Sequence, residues 1–131
     1  MNRSLPIRPR ALIVEDEAIV AMEIQDQMEA LGWEVDAVAA TGPDAIRLAA
    51  AGRPDLILMD ITLRGGMSGL EAAEKIRAAR AVPIIFLTAT VDEKIVARIR
   101  ALDAEAVFLS KPFVEDELRR ETERIRLRLM G

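Results

Sequence analysis

Four apolar runs, each stopped by polar residues, constrain this chain most. Ala11-Leu12-Ile13-Val14 runs into Glu15-Asp16, Leu56-Ile57-Leu58-Met59 into Asp60, and Ile84-Ile85-Phe86-Leu87 into Thr88, while Lys111-Pro112 closes the segment begun by Val107-Phe108-Leu109. Strands of a parallel sheet buried on both faces read as continuous apolar runs rather than as alternating ones. Open α/β sheets gather ligands just beyond the carboxyl ends of those strands. Chemistry is therefore expected where the runs stop.

Helix-like stretches separate the runs, and the alternation argues for βα units on one parallel sheet. Val20, Ile24, Met28 and Leu31 recur at helical spacing, and Gly32 follows as a C-terminal stop. Glu34 to Ala39 reads as a second strand. Pro43 suits the first turn of the next helix, with Ile46 and Ala49 inward, and Gly52-Arg53-Pro54 breaks it. Ser68-Gly69-Leu70-Glu71 is a capping-box pattern ahead of Leu70, Ala73 and Ile76, and Thr90-Val91-Asp92-Glu93 repeats the device ahead of Ile95, Ile99 and Leu102. The last helix starts near Glu115 and presents Leu118, Ile125 and Leu129, with Glu115/Arg119 and Asp116/Arg120 as supporting pairs.

Size and composition narrow the function. A chain of 131 residues, 51% hydrophobic, buries about two-thirds of its unfolded surface and suffices for one domain. Residues 10–131 are expected to form it, behind a short basic tail at 1–9. A net charge of −4 and 3% aromatic residues offer neither a cationic footprint for a phosphate backbone nor stacking platforms for bases. No nucleic-acid contact is expected. Without cysteine or histidine there is no disulfide, thiolate zinc site or histidine base, so any metal must sit among oxygen ligands. The tail lacks a signal peptide's apolar core and no run is long enough to cross a bilayer, which points to a cytoplasmic protein without membrane contact.

Taken singly, the polar stops have ordinary readings: Glu15-Asp16 as a helix cap, Asp60 as a loop aspartate, Thr88 as a strand residue, Lys111 as a solvated lysine. Their joint placement suggests more, because one sheet would aim all of them into one pocket. Two carboxylates about 4 Å apart repel by roughly 4 kcal/mol at an intermediate dielectric, so a triple-acid cluster calls for a cation or a shifted protonation state. Mg²⁺ takes oxygen ligands and is commonly held by one or two carboxylates. A remaining carboxylate can act as nucleophile toward phosphorus, and Asp60 fits that role. Lys111 would neutralise phosphoryl oxygens, and the Thr88 hydroxyl could donate to one.

In these elements the chain resembles the receiver domain of bacterial two-component response regulators. The likeness rests on Glu15-Asp16, Leu58-Met59-Asp60, the Ser68-Gly69-Leu70 turn, Leu87-Thr88-Ala89 and Ser110-Lys111-Pro112-Phe113. It implies a doubly wound, five-stranded (βα)5 sheet in the flavodoxin-like order 2-1-3-4-5. It also implies Mg²⁺ ligation by Asp16, Asp60 and the main-chain carbonyl of Thr62, with Glu15 acting mainly through water, and a cis Lys111-Pro112 bond. Phosphorylation of Asp60 from a histidine kinase or histidine phosphotransfer protein would turn Thr88 toward the phosphoryl group and Phe108 inward behind it. The output would be a changed surface for a protein target on helix four, strand five and helix five, a face that could also support a dimer.

Three departures stand out. The loop after Asp60 is one residue longer than the commonest form and has Arg64 where proline is frequent, Phe108 replaces a frequent tyrosine, and the positions that tune dephosphorylation fall on Thr62 and Thr90. Neither threonine can place an attacking water as an acid or amide does, which allows a long-lived phosphoryl state. A phosphatase or phosphotransferase of the haloacid-dehalogenase type also uses an aspartate after a strand, but it favours a second acid where this chain has Thr62. A flavodoxin-like nucleotide binder would favour phosphate-cradling amides after strand one, where this chain has Glu15-Asp16-Glu17. The expected product is a stand-alone switch rather than a turnover enzyme.

Overall fold

Each apolar run becomes a strand, and each is followed by a helix. A computed structural model describes residues 8–89 and 92–130. The elements are β1 (Arg10–Val14), α1 (Ala18–Ala30), β2 (Glu34–Ala39), α2 (Gly42–Gly52), β3 (Leu56–Asp60), α3 (Gly69–Ala79), β4 (Ile84–Thr88), α4 (Glu93–Leu102), β5 (Val107–Ser110) and α5 (Glu115–Met130). All four strand pairings are parallel, in the order β2-β1-β3-β4-β5. This is the expected flavodoxin-like order.

Alternation along the strands divides the core between the two faces of the sheet. Leu12, Val14, Ile57, Met59, Ile84 and Phe86 pack with α2, α3 and α4 residues such as Ala45, Ala73, Ile76 and Ile99. Ala11, Ile13, Leu56, Leu58, Ile85 and Leu87 pack with Ile24, Met28, Leu118 and Ile125 of α1 and α5. All five residues of β3 are buried, so a truncation such as Leu58→Ala would cost about 2–5 kcal/mol. That rigidity fixes where Asp60 emerges. Register does the rest: Val14 lies beside Met59, Asp60 beside Leu87, and Thr88 beside Ser110, which sets the polar stops at one end of the sheet.

Local chemistry places the helices. Thr41 caps α2 by accepting from the Asp44 N–H, Pro43 occupies its first turn, and Arg53 ends it in a left-handed conformation with φ of 48°. Ser68 and Glu71 complete both halves of the expected capping box on α3. Gly32 follows α1 with φ of +94°, a geometry that favours glycine.

Three expectations are corrected. The N-cap of α4 is Asp92, whose carboxylate accepts the Lys94 N–H, and not Thr90, which lies with Val91 outside the described residues. In α5 Leu129 is exposed, and the buried positions are Leu118, Thr122 and Ile125. Asp116 pairs with Arg119 at 3.1 Å rather than with Arg120, although the Glu115–Arg119 pair forms at 3.9 Å. Residues 1–7 of the basic tail lie outside the described residues. No helix among the described residues is long and apolar enough to cross a membrane.

Candidate functional site

The carboxyl ends of β1 and β3 deliver three carboxylates to one point. Oxygens of Glu15, Asp16 and Asp60 all lie within 4.8 Å of one another. Glu15 and Asp60 are buried and Asp16 is half-buried. Lys111, one residue beyond β5, reaches back across the sheet: its Nζ donates to Glu15 Oε1 at 2.6 Å and to Asp60 Oδ2 at 3.1 Å. Its own N–H donates to the Thr88 carbonyl at 2.7 Å, which ties the lysine to the end of β4. The Lys111-Pro112 peptide bond is cis.

Burial and charge act against each other here. Desolvation pushes the Glu15 carboxyl above its ordinary value, opposed by hydrogen bonds from Lys111 and the Glu17 N–H. Burial alone would lower the Lys111 ammonium, but its bonds to Glu15 and Asp60 outweigh it and hold the group above its ordinary value. Three carboxylates face the Lys111 ammonium and, at the exposed edge, the Arg64 guanidinium, so the cluster keeps a net negative charge. A cation among the three oxygens would offset it.

The donor set also suits such an ion. All three groups offer hard oxygen ligands, and an octahedral Mg²⁺ with ligand distances of about 2.0–2.1 Å needs pairs of oxygens roughly 3 to 4.2 Å apart. Oxygens within 4.8 Å of one another stand close to that spacing.

Asp60 is oriented by its own chain. Its Oδ1 accepts the Thr62 N–H at 2.9 Å while Oδ2 faces Lys111. Thr62 itself is exposed, and its recorded contact with the site runs through the amide. The start of α3 presses on the same backbone. Gly69 donates its N–H to the Ile61 carbonyl at 2.9 Å, and a Cβ at Gly69 would fall 1.9 Å from the Asp60 carbonyl oxygen.

Thr88 is buried at the end of β4, and Phe108 is half-buried on β5. The Phe108 ring lies 5.9 Å from that of Phe86, centroid to centroid, and the Arg100 guanidinium stands 5.2 Å above it. The structure therefore brings Glu15, Asp16, Asp60 and Lys111 together, places Thr62 against Asp60 through its amide, and sets Thr88 and Phe108 on the adjoining strands. Glu15, expected to act on the metal mainly through water, also accepts directly from the Lys111 ammonium. Two partners escaped the sequence reading. Arg64 contacts Asp16 through its N–H at 3.0 Å and its Nε at 3.5 Å, and Arg100 covers Phe108. Only the unusual presence of Arg64 in its loop hinted at the first.

Comparison with known proteins agrees with this geometry. The family model for the response regulator receiver domain matches residues 11–123. The transcriptional regulatory protein PdtaR of Mycobacterium tuberculosis is 37% identical over 109 residues, which cover 83% of this chain and 52% of that protein. The chain thus spans about half the length of the curated relative it matches. Among solved structures, the signal receiver domain of a modulated diguanylate cyclase from Desulfovibrio desulfuricans superposes with a TM-score of 0.82 at 35% identity, covering 93% of this chain and 99% of that one. The receiver domain of sensor histidine kinase PA1611 from Pseudomonas aeruginosa, described with a magnesium ion coordinated in its active site cleft, gives a TM-score of 0.76 at 36% identity, covering 90% and 97%. By sequence, by sheet order and by the acidic cluster at the strand ends, the chain belongs to the response regulator receiver domain family, the phosphorylation-dependent signalling switches of two-component systems.

Proposed function

We propose that Asp60 accepts a phosphoryl group from the phosphohistidine of a sensor histidine kinase or a histidine phosphotransfer protein. The observation that carries this reading is the buried Asp60 carboxylate, held between the Thr62 N–H, the Lys111 ammonium and two further carboxylates. A carboxylate oxygen of Asp60 forms the new P–O bond as the donor's P–N bond breaks, and the departing imidazole nitrogen takes up a proton. Asp16, Asp60 and the Thr62 carbonyl would hold Mg²⁺, with Glu15 at its edge. When bound, the ion supplies charge that offsets the approach of phosphoryl oxygens to an acidic site.

The chain's own residues do the remaining work. Lys111, already bonded to Asp60 and Glu15, stays beside the phosphoryl oxygens and neutralises part of their charge. The Thr62 N–H keeps one Asp60 oxygen oriented, which leaves the other for attack. Thr88 offers a hydroxyl to the phosphoryl group, and its movement admits Phe108 toward the space behind it. That differential contact gives the phosphoryl group a hold on two conformations, as any switch requires. Its readout is a protein target at the face formed by α4, β5 and α5, where a second copy could also dock. Residues 10–131 constitute the receiver unit, and we place its work in the cytoplasm.

A second reading, an aspartyl-phosphate phosphatase or phosphotransferase, uses the same nucleophile but favours an acid two residues on, where Thr62 stands. Receiver domains are generally switches rather than turnover enzymes, and stoichiometry separates the two. With Mg²⁺ and acetyl phosphate, intact mass should show one phosphoryl group retained per chain. Sustained release of inorganic phosphate over many equivalents per chain would favour the enzyme.

A further inference from the structure

The Asp16 carboxylate has a partner that the phosphoryl-transfer chemistry does not require. Its Oδ2 accepts the Arg64 N–H at 3.0 Å and lies 3.5 Å from the Arg64 Nε, a contact between residues 48 apart in sequence. The Asp16 side chain is 11% exposed, whereas that of Arg64 is 79% exposed, so the ion pair joins a largely buried carboxylate to a guanidinium that stands mostly in solvent. Gly65 and Gly66 follow with φ of +93° and +97°, and a Cβ at either would meet nothing within 4 Å. A proline at position 64 could offer neither the N–H nor the charge.

We propose that Arg64 is a built-in cation that competes with Mg²⁺ for Asp16 and so lowers the protein's affinity for the metal. Lys111 neutralises the Glu15 and Asp60 side of the cluster, and Arg64 neutralises the Asp16 side. A divalent ion at the three carboxylates must displace the guanidinium or bear its repulsion. Because Arg64 is largely exposed, solvent screens the effect and keeps it modest. This inference rests on the reading of Glu15, Asp16 and Asp60 as a Mg²⁺ site.

The test is calorimetric titration of MgCl₂ at fixed ionic strength into the wild type, Arg64→Gln, Arg64→Lys, Arg64→Glu and Asp16→Asn, each first checked for native circular dichroism. Arg64→Gln should bind Mg²⁺ about two- to fivefold more tightly than the wild type, the range expected for an exposed ion pair. Arg64→Glu should bind more tightly still, Arg64→Lys should stay near the wild type, and the gains should shrink as salt rises. Equal or weaker binding by both Arg64→Gln and Arg64→Glu, with a wild type that binds Mg²⁺ normally, overturns the role of Arg64 and leaves the metal site standing. A wild type that takes up no Mg²⁺, with Asp16→Asn indistinguishable from it, overturns the metal reading and this inference with it.

Discussion

Adding one methyl group at Gly69 should damage the protein more than adding one at Gly52, although both are helix-terminal glycines. At Gly69 the new Cβ would lie 1.9 Å from the Asp60 carbonyl oxygen, 2.8 Å from the Asp60 carbonyl carbon and 2.9 Å from the Ile61 Cα. All three atoms are backbone, and β3 is buried along its whole length, so nothing nearby can yield cheaply. Overpacking of this kind costs about 1–3 kcal/mol, and the short contact puts Gly69→Ala near the upper end even after alanine's gain in helix propensity of about 1 kcal/mol. At Gly52 the nearest atom to a Cβ is Asp36 Oδ2 at 3.1 Å, the end of a side chain whose partly exposed pair with Arg10 at 2.7 Å need give only by a few tenths of an ångström. Gly52→Ala should fall between neutral and about 1 kcal/mol stabilising. For a domain of this size 1 kcal/mol corresponds to roughly 4 °C in Tm, so Gly69→Ala should melt about 8–12 °C below the wild type and Gly52→Ala at or above it. Urea denaturation and calorimetry would measure both. A Gly69→Ala protein within about 0.5 kcal/mol of the wild type, or a Gly52→Ala protein that is the less stable of the two, would refute the packing argument. Because the Gly69 clash falls on Asp60 itself, the same variant should also label more slowly with acetyl phosphate.

Three other outcomes are expected. Asp16→Asn should weaken Mg²⁺ binding by at least roughly tenfold, a loss that even an outer-shell contact can produce, whereas Lys111→Ala should impair phosphotransfer more than metal binding; parallel metal titration and labelling would separate the two lesions. The Glu71 carboxyl is held below its usual 4.5, first by the Ser68 N–H of the capping box, so its contribution is present above 4.5 and lost as pH falls through the lower folded value; denaturation midpoints of wild type and Glu71→Gln measured against pH should differ at neutral pH and converge in acid. Hydrogen exchange with and without beryllofluoride should change after Thr88 and around Phe108, and changes confined to residues 61–68 would move the output face to that loop.

What could be read in the sequence were features that depend on near neighbours or on the end of a strand. The apolar runs gave β1, β3 and β4 because a strand buried on both faces has no polar positions to blur its edges. The capping box at Ser68 and Glu71 was legible because it closes within one turn. The same pattern misled at Thr90, since Asp92 offers a carboxylate nearer the first helical N–H groups. Leu129 was misassigned because periodicity continues along a helix whether or not the sheet still lies beneath it. Thr122 was missed because a threonine reads as polar, yet its hydroxyl is satisfied by the Leu118 carbonyl at 2.7 Å and can be buried. The approach of Lys111 to Glu15, across 96 residues, was inferable only as convergence of strand ends. Arg64 turning back on Asp16 had no such rule behind it, because a loop side chain obeys no sheet register.

The most direct test of the central claim is to locate the phosphoryl group. The protein would be incubated with MgCl₂ and acetyl phosphate, quenched in acid to preserve an acyl phosphate, digested, and mapped by tandem mass spectrometry alongside Asp60→Asn. The expected result is one phosphoryl group per wild-type chain, on the peptide containing Leu56–Asp60 and at Asp60, lost on brief exposure to base and absent from Asp60→Asn. Equal labelling of Asp60→Asn, or a phosphoryl group mapped to another residue of the wild type, would contradict it.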